Sequence, residues 1–228
     1  MRILVLNGSP RPKGNTKQMV DAFRSGAESA GHRVDVIDVC RKKIAGCLAC
    51  EYCHTKGNGA CVQKDDMQEV YSLLGEADML VIASPIYYHG VSGQLKCTID
   101  RFYSAAYPSR SRNLKKVAMI LSSGDPAMYD GAMFSYKEDF LEYLGLEDMG
   151  VFTAYGGKCT LWTCFGRREW IYEEDSGFIS FSDNNILGKI MLWFILNSGI
   201  LILAERSAGL YGRADWEEKM KLTKLHAL

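Results

Sequence analysis

The sequence has no net charge, with 27 lysines and arginines against 27 aspartates and glutamates. That balance excludes a nucleic-acid binder relying on a broad basic surface and a polybasic membrane anchor. No secretory leader is expected. The opening apolar run, Ile3–Leu6, stops at Asn7 and Gly8, and a leader needs about 7–15 apolar residues. A clean span of about 20 apolar residues, enough to cross a bilayer, is also missing. The longest candidate, ILGKIMLWFILNSGILIL at 186–203, is interrupted by Lys189, Asn197, Ser198 and Gly199 and reads as a buried helix–turn–strand. Repeats and low-complexity tracts are absent. Eight cysteines in 228 residues fall far below the density of a small secreted disulfide scaffold.

What is there is 47% hydrophobic and 24% charged, so the chain is neither disordered nor fibrous. It is long enough to bury one sizeable core. Apolar runs without alternation at Arg2–Leu6, Met79–Ala83 (MLVIA) and Lys116–Leu121 (KVAMIL) read as buried strands. Arg33–Val39 and Gly150–Ala154 add a second and a fifth. Helices are expected at Thr16–Ala30, Met67–Glu76, from Ser92 or Gly93 to about Ala105, and at Tyr136–Leu144. Strand–helix alternation with apolar strands predicts an α/β fold: a doubly wound, parallel, five-stranded sheet with helices on both faces. Ligands bind such sheets at the carboxyl ends of the strands, where strand order reverses. Loops 7–16, 84–92 and 122–130 lie there, and a cysteine-rich loop, 40–64, leaves the same edge. Residues 1–155 form this core. Residues 156–228 hold all four tryptophans and a charged patch, GRREWIYEED, and read as a C-terminal extension.

The first loop, Gly8-Ser9-Pro10-Arg11-Pro12-Lys13-Gly14-Asn15-Thr16, joins a strand to a helix. A helix N-terminus offers unpaired N–H groups and a positive dipole end, which suit a phosphate. Ser9, Asn15 and Thr16 add donors, and Arg11 or Lys13 adds charge. The order is neither a P-loop, since Asn15 stands where the lysine should be, nor G-x-G-x-x-G. The same residues also suit a plain Gly/Pro-rich loop with a threonine N-cap.

Cys47, Cys50, Cys53 and Cys61 form C-x2-C-x2-C-x7-C. Such compact spacing lets four thiolates close on one inorganic core, a [4Fe–4S] cluster. Structural zinc more often joins two C-x-x-C units across a longer gap. Free thiols or a redox disulfide stay open as further readings. Cys40, Cys97, Cys159 and Cys164 read as structural.

Three segments now carry a resemblance. NGSPRPKGNT after the first strand, SPIYYHGVSGQLKCTIDRFY after the third, and the cysteine loop ending in KDDM resemble the flavodoxin-like NAD(P)H-dependent FMN reductase family. The cysteine loop is most similar to the iron–sulfur flavoprotein branch. The resemblance implies FMN at the strand tips, with its phosphate on Ser9, Arg11, Asn15 and Thr16. It implies the ring against Pro85, Ile86, Tyr87, Tyr88 and Gly90, closed on the other side by Ser122, Ser123 and Gly124. It implies a cluster on Cys47, Cys50, Cys53 and Cys61. Pro85 fixes the turn, the backbone of Ile86–Tyr88 can bond the polar ring edge, and the tyrosines offer a flat wall. His89 reads as a surface hydrogen-bonder, and Lys96, Asp100 and Arg101 as a solvated ion pair on a helix.

The function expected is an FMN oxidoreductase with NAD(P)H as substrate, passing electrons through FMN and the cluster to an unknown acceptor. It is expected in the cytoplasm as a homo-oligomer, with no nucleic-acid or membrane partner. Two other readings stay in play. One is a flavodoxin-like electron carrier without its own nicotinamide site; the other is a non-redox binding module with structural zinc. The neutral charge favours the enzyme, because carriers usually hold a strong negative charge to steer partners.

Overall fold

A computed structural model of the chain describes residues 1–105, 113–125, 127–155 and 158–159. Five parallel strands, β1 (Arg2–Asn7), β2 (Arg33–Asp38), β3 (Met79–Pro85), β4 (Lys116–Ser123) and β5 (Glu147–Tyr155), lie in the order β2-β1-β3-β4-β5. A two-residue strand, β6 (Lys158–Cys159), extends the β5 edge antiparallel, an addition to the five expected strands. The remainder of the expected extension, with the 186–203 run, lies outside the described residues, as do the side chains of Cys159 and Cys164.

The central strands are apolar throughout because both faces are covered. β1 and β3 are buried along nearly their whole length. Pleating sends Leu4, Leu6, Leu80, Ile82, Val117, Met119 and Leu121 to one face. There they form one cluster with Met67, Val70 and Leu74 of α2 (Met67–Glu76) and with Leu95 of α3 (Gly93–Asp100). Phe102 of α4 (Phe102–Ala105) joins them, as do Tyr136 and Phe140 of a π-helical turn, Tyr136–Tyr143, that continues α5 (Asp130–Ser135). Ile3, Val5, Val81 and Ile120 fall outside that cluster, on the opposite face. There α1 (Asn15–Ser29) packs with Val20, Phe23 and Ala27 buried.

Three elements differ from the expected ones. The helix expected at Tyr136–Leu144 opens at Asp130 as α5. The helix expected to run to Ala105 breaks at Arg101 into α3 and α4. The fifth strand starts three residues early, at Glu147. Tyr136 donates to Asp148 Oδ1 at 2.6 Å, the same oxygen accepts from Gly150 N–H at 2.8 Å, and β5 bulges against β4 there. A long-range tether thus recruits polar residues that carry no strand pattern of their own. Burial, reinforced by Asp148, pushes the Tyr136 hydroxyl well above its ordinary value, so it stays a donor. Among the described residues, no helix is long and apolar enough to cross a membrane.

Candidate functional site

Strand order reverses between β1 and β3, and the loops leaving their carboxyl ends flank that point. Asn7, the last residue of β1 and 1% exposed, organises the first loop. Its side chain donates to Asp38 Oδ1 at 2.8 Å and accepts from Ser9 N–H at 3.1 Å. Sequence reasoning passed over Asn7; a buried amide closing a strand and opening a Gly-Ser loop was the available signal. Gly8 must be glycine, since a Cβ there would stand 2.7 Å from Leu95 Cβ and from Ser92 Oγ. Its N–H donates to the Ala83 carbonyl at 2.8 Å, which ties the loop to β3.

Gly14 caps α1 with no side-chain bond to the helix's first N–H groups. That leaves the α1 N-terminus open to an anion, as the phosphate reading requires. Ser9 and Thr16 are buried, Asn15 is half-buried, and Arg11 is exposed. Ser9 Oγ accepts from Arg11 N–H at 3.3 Å, closing the turn. Thr16 shares a 2.7 Å hydrogen bond with Ser122, which joins the first and third loops.

The second loop is a tight turn. Tyr87 N–H donates to Gly90 O at 2.9 Å and Gly90 N–H to Tyr87 O at 3.1 Å, with Tyr88 and His89 left-handed at φ 50° and 63°. Ile86 N–H donates to Ser122 O at 2.7 Å. The N–H groups of Ile86 and Tyr87, expected to face the ring edge, are thus bonded within the protein. Tyr88 is fully exposed and Tyr87 43% exposed, so neither is held by packing. Pro85 precedes this turn as the last residue of β3. On the third loop, Ser123 Oγ bonds Tyr129 Oη at 2.9 Å, and that hydroxyl donates to Ala154 O at 2.7 Å. A Cβ at Gly124 would meet nothing within 4 Å. Cys40 sits beside the site, its thiol 3.0 Å from Gly8 O and raised chiefly by burial.

The four motif cysteines line one cavity, with Arg101, Tyr103 and Ser104 of the α3–α4 junction across from them. Cys47 and Cys50 are exposed, Cys61 half-buried and Cys53 buried; burial above all pushes the Cys53 thiol up. Ala49 and Glu51, on either side of Cys50, are left-handed at φ 50° and 55°. Ala49 N–H lies 3.4 Å from Cys47 Sγ. Gly57 is required for close approach: its Cβ would fall 2.4 Å from Ala60 O.

The junction helices hold this loop in place. Ser104 Oγ donates to Gly59 O at 2.6 Å, His54 stacks on Tyr103 at 4.1 Å, and Tyr103 Oη donates to Glu51 at 3.0 Å. Arg101 forms a fork on Asp65, Nη1 to Oδ2 at 2.8 Å and Nη2 to Oδ1 at 3.2 Å. This corrects the expected solvated pair. Lys96 and Asp100 do form one at the surface, but Arg101 is 1% exposed and paired with Asp65. The reason is the helix break, which turns Arg101 inward while Lys96 and Asp100 keep i,i+4 spacing on the outer face.

The donor set fits a cluster. Four thiols line one cavity, which is the donor chemistry an iron–sulfur cluster takes; among the described residues no three metal-binding side chains converge on one point. The strand-tip loops fit a phosphate-bearing flavin through the uncapped N-terminus of α1. One helix separates the two sites. The N-cap of α3, Ser92, touches the first loop, and its C-cap, Arg101, lines the cysteine cavity. Eight helical residues span about 12 Å.

Comparison with known proteins identifies the family and the fold. The profile of the NADPH-dependent FMN reductase family matches residues 1–154. An iron–sulfur flavoprotein of Archaeoglobus fulgidus is 42% identical over 158 residues, 68% of this chain and 69% of that protein. Another from the same organism is 30% identical over 184 residues, 78% of this chain and 90% of that one. Two iron–sulfur flavoproteins of Methanocaldococcus jannaschii are spanned over about half their length. An NAD(P)H:quinone oxidoreductase structure from Methanothermobacter marburgensis superposes with a TM-score of 0.56 at 22% identity, covering 69% of this chain and 85% of that one. At that identity the likeness speaks to the fold.

Proposed function

The chain belongs to the NADPH-dependent FMN reductase family, in its iron–sulfur flavoprotein branch, and on that premise we propose that it carries electrons from a reduced nicotinamide, through FMN and a [4Fe–4S] cluster, to a further acceptor. The observation that carries this reading is the shared helix. Its N-cap supports the phosphate loop and its C-cap lines the four-cysteine cavity.

FMN supplies hydride acceptance from NAD(P)H and one-electron release, and the cluster supplies one-electron transfer. The protein's own part is placement. Ser9, Arg11, Asn15 and Thr16, with the N–H groups opening α1, hold the phosphate. Ser122 fixes the depth of the cleft, because it bonds both Thr16 and Ile86 N–H. Pro85, Ile86, Tyr87, Tyr88 and Gly90 shape one side of the ring site, and Ser122, Ser123 and Gly124 the other. The exposed Tyr87 and Tyr88 are free to reorient over a flat ligand. Cys47, Cys50, Cys53 and Cys61 would bind the iron. The six cysteines with described side chains are all free thiols, which suits a reducing cytoplasm. A homo-oligomer is part of the reading, as the resemblance implies.

Anaerobic mixing of the FMN-loaded protein with NADH or NADPH is the test. Bleaching of the flavin bands in one exponential phase, with no second protein present, is expected. Bleaching only after adding a separate reductase would overturn the enzyme reading and favour the electron carrier, which the same cofactor site would also suit.

A further inference from the structure

One residue lining the cysteine cavity holds a buried donor without a partner among the described residues. Arg101 lines that cavity and is 1% exposed. Its terminal nitrogens are committed: Nη1 donates to Asp65 Oδ2 and to Ala45 O at 3.0 Å, and Nη2 donates to Asp65 Oδ1. Its Nε–H is buried with no hydrogen-bond partner among the described residues. Folded proteins seldom leave a charged donor buried and unbonded, because desolvation is then uncompensated. The fork cannot turn to relieve it, since rotation would break the bonds to Asp65 and Ala45.

The charge itself is secure. Burial works against it, but the bonds from Asp65 outweigh that, and the guanidinium is held above its ordinary value. The Tyr71 hydroxyl donates to the Arg101 carbonyl at 2.9 Å, and its oxygen also stands close enough to the guanidinium to favour the charged form. Cys61 lies within the same electrostatic field. A planar cation therefore borders the cavity that the four cysteines line, with its buried Nε–H unbonded.

We propose that Arg101 Nε–H donates a hydrogen bond to a sulfur of the cluster bound by Cys47, Cys50, Cys53 and Cys61, and thereby raises the cluster's reduction potential. The inference rests on the reading that this cavity holds a [4Fe–4S] cluster. Reduction adds one electron to the cluster. A donor fixed on a cluster sulfur stabilises the more negative, reduced state. Asp65 is the positioning residue: it holds the fork so that Nε–H stays in the cavity. The i,i+4 pair Lys96–Asp100 nearby has no such role, being exposed on the other face of α3.

The experiment begins with full-length protein prepared anaerobically and assayed for iron and sulfide. Protein without either overturns the cluster reading and this inference together; protein with a full cluster puts only Arg101 at stake. Arg101→Met with Asp65→Asn removes the donor and both charges at once and strands no buried carboxylate. With iron, sulfide and FMN at wild-type levels, this variant should show a reduced-to-oxidised cluster ratio about tenfold lower at the wild-type midpoint, a shift of about 59 mV for a one-electron couple. An unchanged ratio overturns the proposal. Should the variant fail to fold or to load, the wild-type protein decides. Chains labelled with nitrogen-15 at arginine Nε alone, reduced and examined by pulsed electron paramagnetic resonance, should show a nitrogen coupling to the cluster spin. Absence of that coupling overturns the proposal.

Discussion

Thr16 and Ser122 lie 106 positions apart, yet their hydroxyls share a 2.7 Å hydrogen bond between the first and third strand-tip loops. Both side chains are buried, at 1% and 7% exposure. Thr16 opens α1 where a phosphate is expected, and Ser122 O also receives Ile86 N–H from the second loop. The pair therefore couples all three loops of the proposed flavin site before any ligand arrives.

Thr16→Val should act twice. In the ligand-free protein it leaves the buried Ser122 hydroxyl unpaired, which should destabilise the fold by about 1–3 kcal/mol in denaturant titration. It also removes a donor to a charged group, worth about 1.5–3 kcal/mol, so FMN affinity should fall roughly tenfold or more. Riboflavin, which lacks the phosphate, should bind nearly as before. Equal losses for both flavins would mean that Thr16 does not hold the phosphate.

Gly8→Ala tests the close approach of the first loop to α3. The added methyl would sit 2.7 Å from Leu95 Cβ and Ser92 Oγ, inside contact distance of packed, buried atoms. Overpacking of this kind typically costs about 1–3 kcal/mol. Thermal melting should drop and FMN should bind more weakly; a variant with wild-type melting and affinity would show that the loop relaxes freely.

Cys50→Ala addresses the cysteine cavity alone. Wild-type protein should contain about four iron and four sulfide per chain. The variant should lose both and keep FMN, because the strand-tip loops take no bond from Cys50. One zinc per chain without sulfide would replace the cluster reading with a structural metal.

The Asp65–Arg101 fork makes a prediction in pH. Burial raises the Asp65 carboxyl, but the bonds from Arg101 and from the Ala45 and Met67 amides prevail and hold it below its ordinary value. A depressed folded-state value stabilises the protein above the unfolded value of about 3.9, and that stability is lost as pH falls below it. Asp65→Asn should therefore weaken the protein near neutral pH, by up to about 3–5 kcal/mol since a buried cation loses its partner. Its stability should also change less between pH 5 and pH 2 than that of the wild type, both at about constant ionic strength. Parallel pH profiles for the two proteins would count against the pair as the source.

Much of this protein is written locally. The apolar runs of β1, β3 and β4 are continuous because both faces of the central sheet are covered, and a one-dimensional pattern registers that directly. The α1 start at Asn15 and the α2 span Met67–Glu76 follow from a Gly-rich loop and from acidic residues before an apolar periodicity. The thiol set was legible because its spacing is itself the signal. Strand 150–154 falls short of the observed one, since Glu147 joins β5 through Lys115 and Lys116 at the start of the neighbouring strand and Asp148 through Tyr136, and no local preference points to that.

Arg101 marks the boundary between what the sequence determined and what the tertiary structure decided. Along the chain it follows Lys96 and Asp100, whose i,i+4 spacing determines their surface pair whatever the rest of the fold does. Asp65 lies 36 positions from Arg101, and nothing in either neighbourhood names the other. Their fork exists because the sheet brings α2 and α3 to one face and because the helix breaks at Arg101. The same holds for Thr16 with Ser122 and for Tyr136 with Asp148. Residue types and short spacings set which chemistry the chain can hold; packing a parallel sheet set which distant groups meet, since only burial makes those meetings worth their entropy.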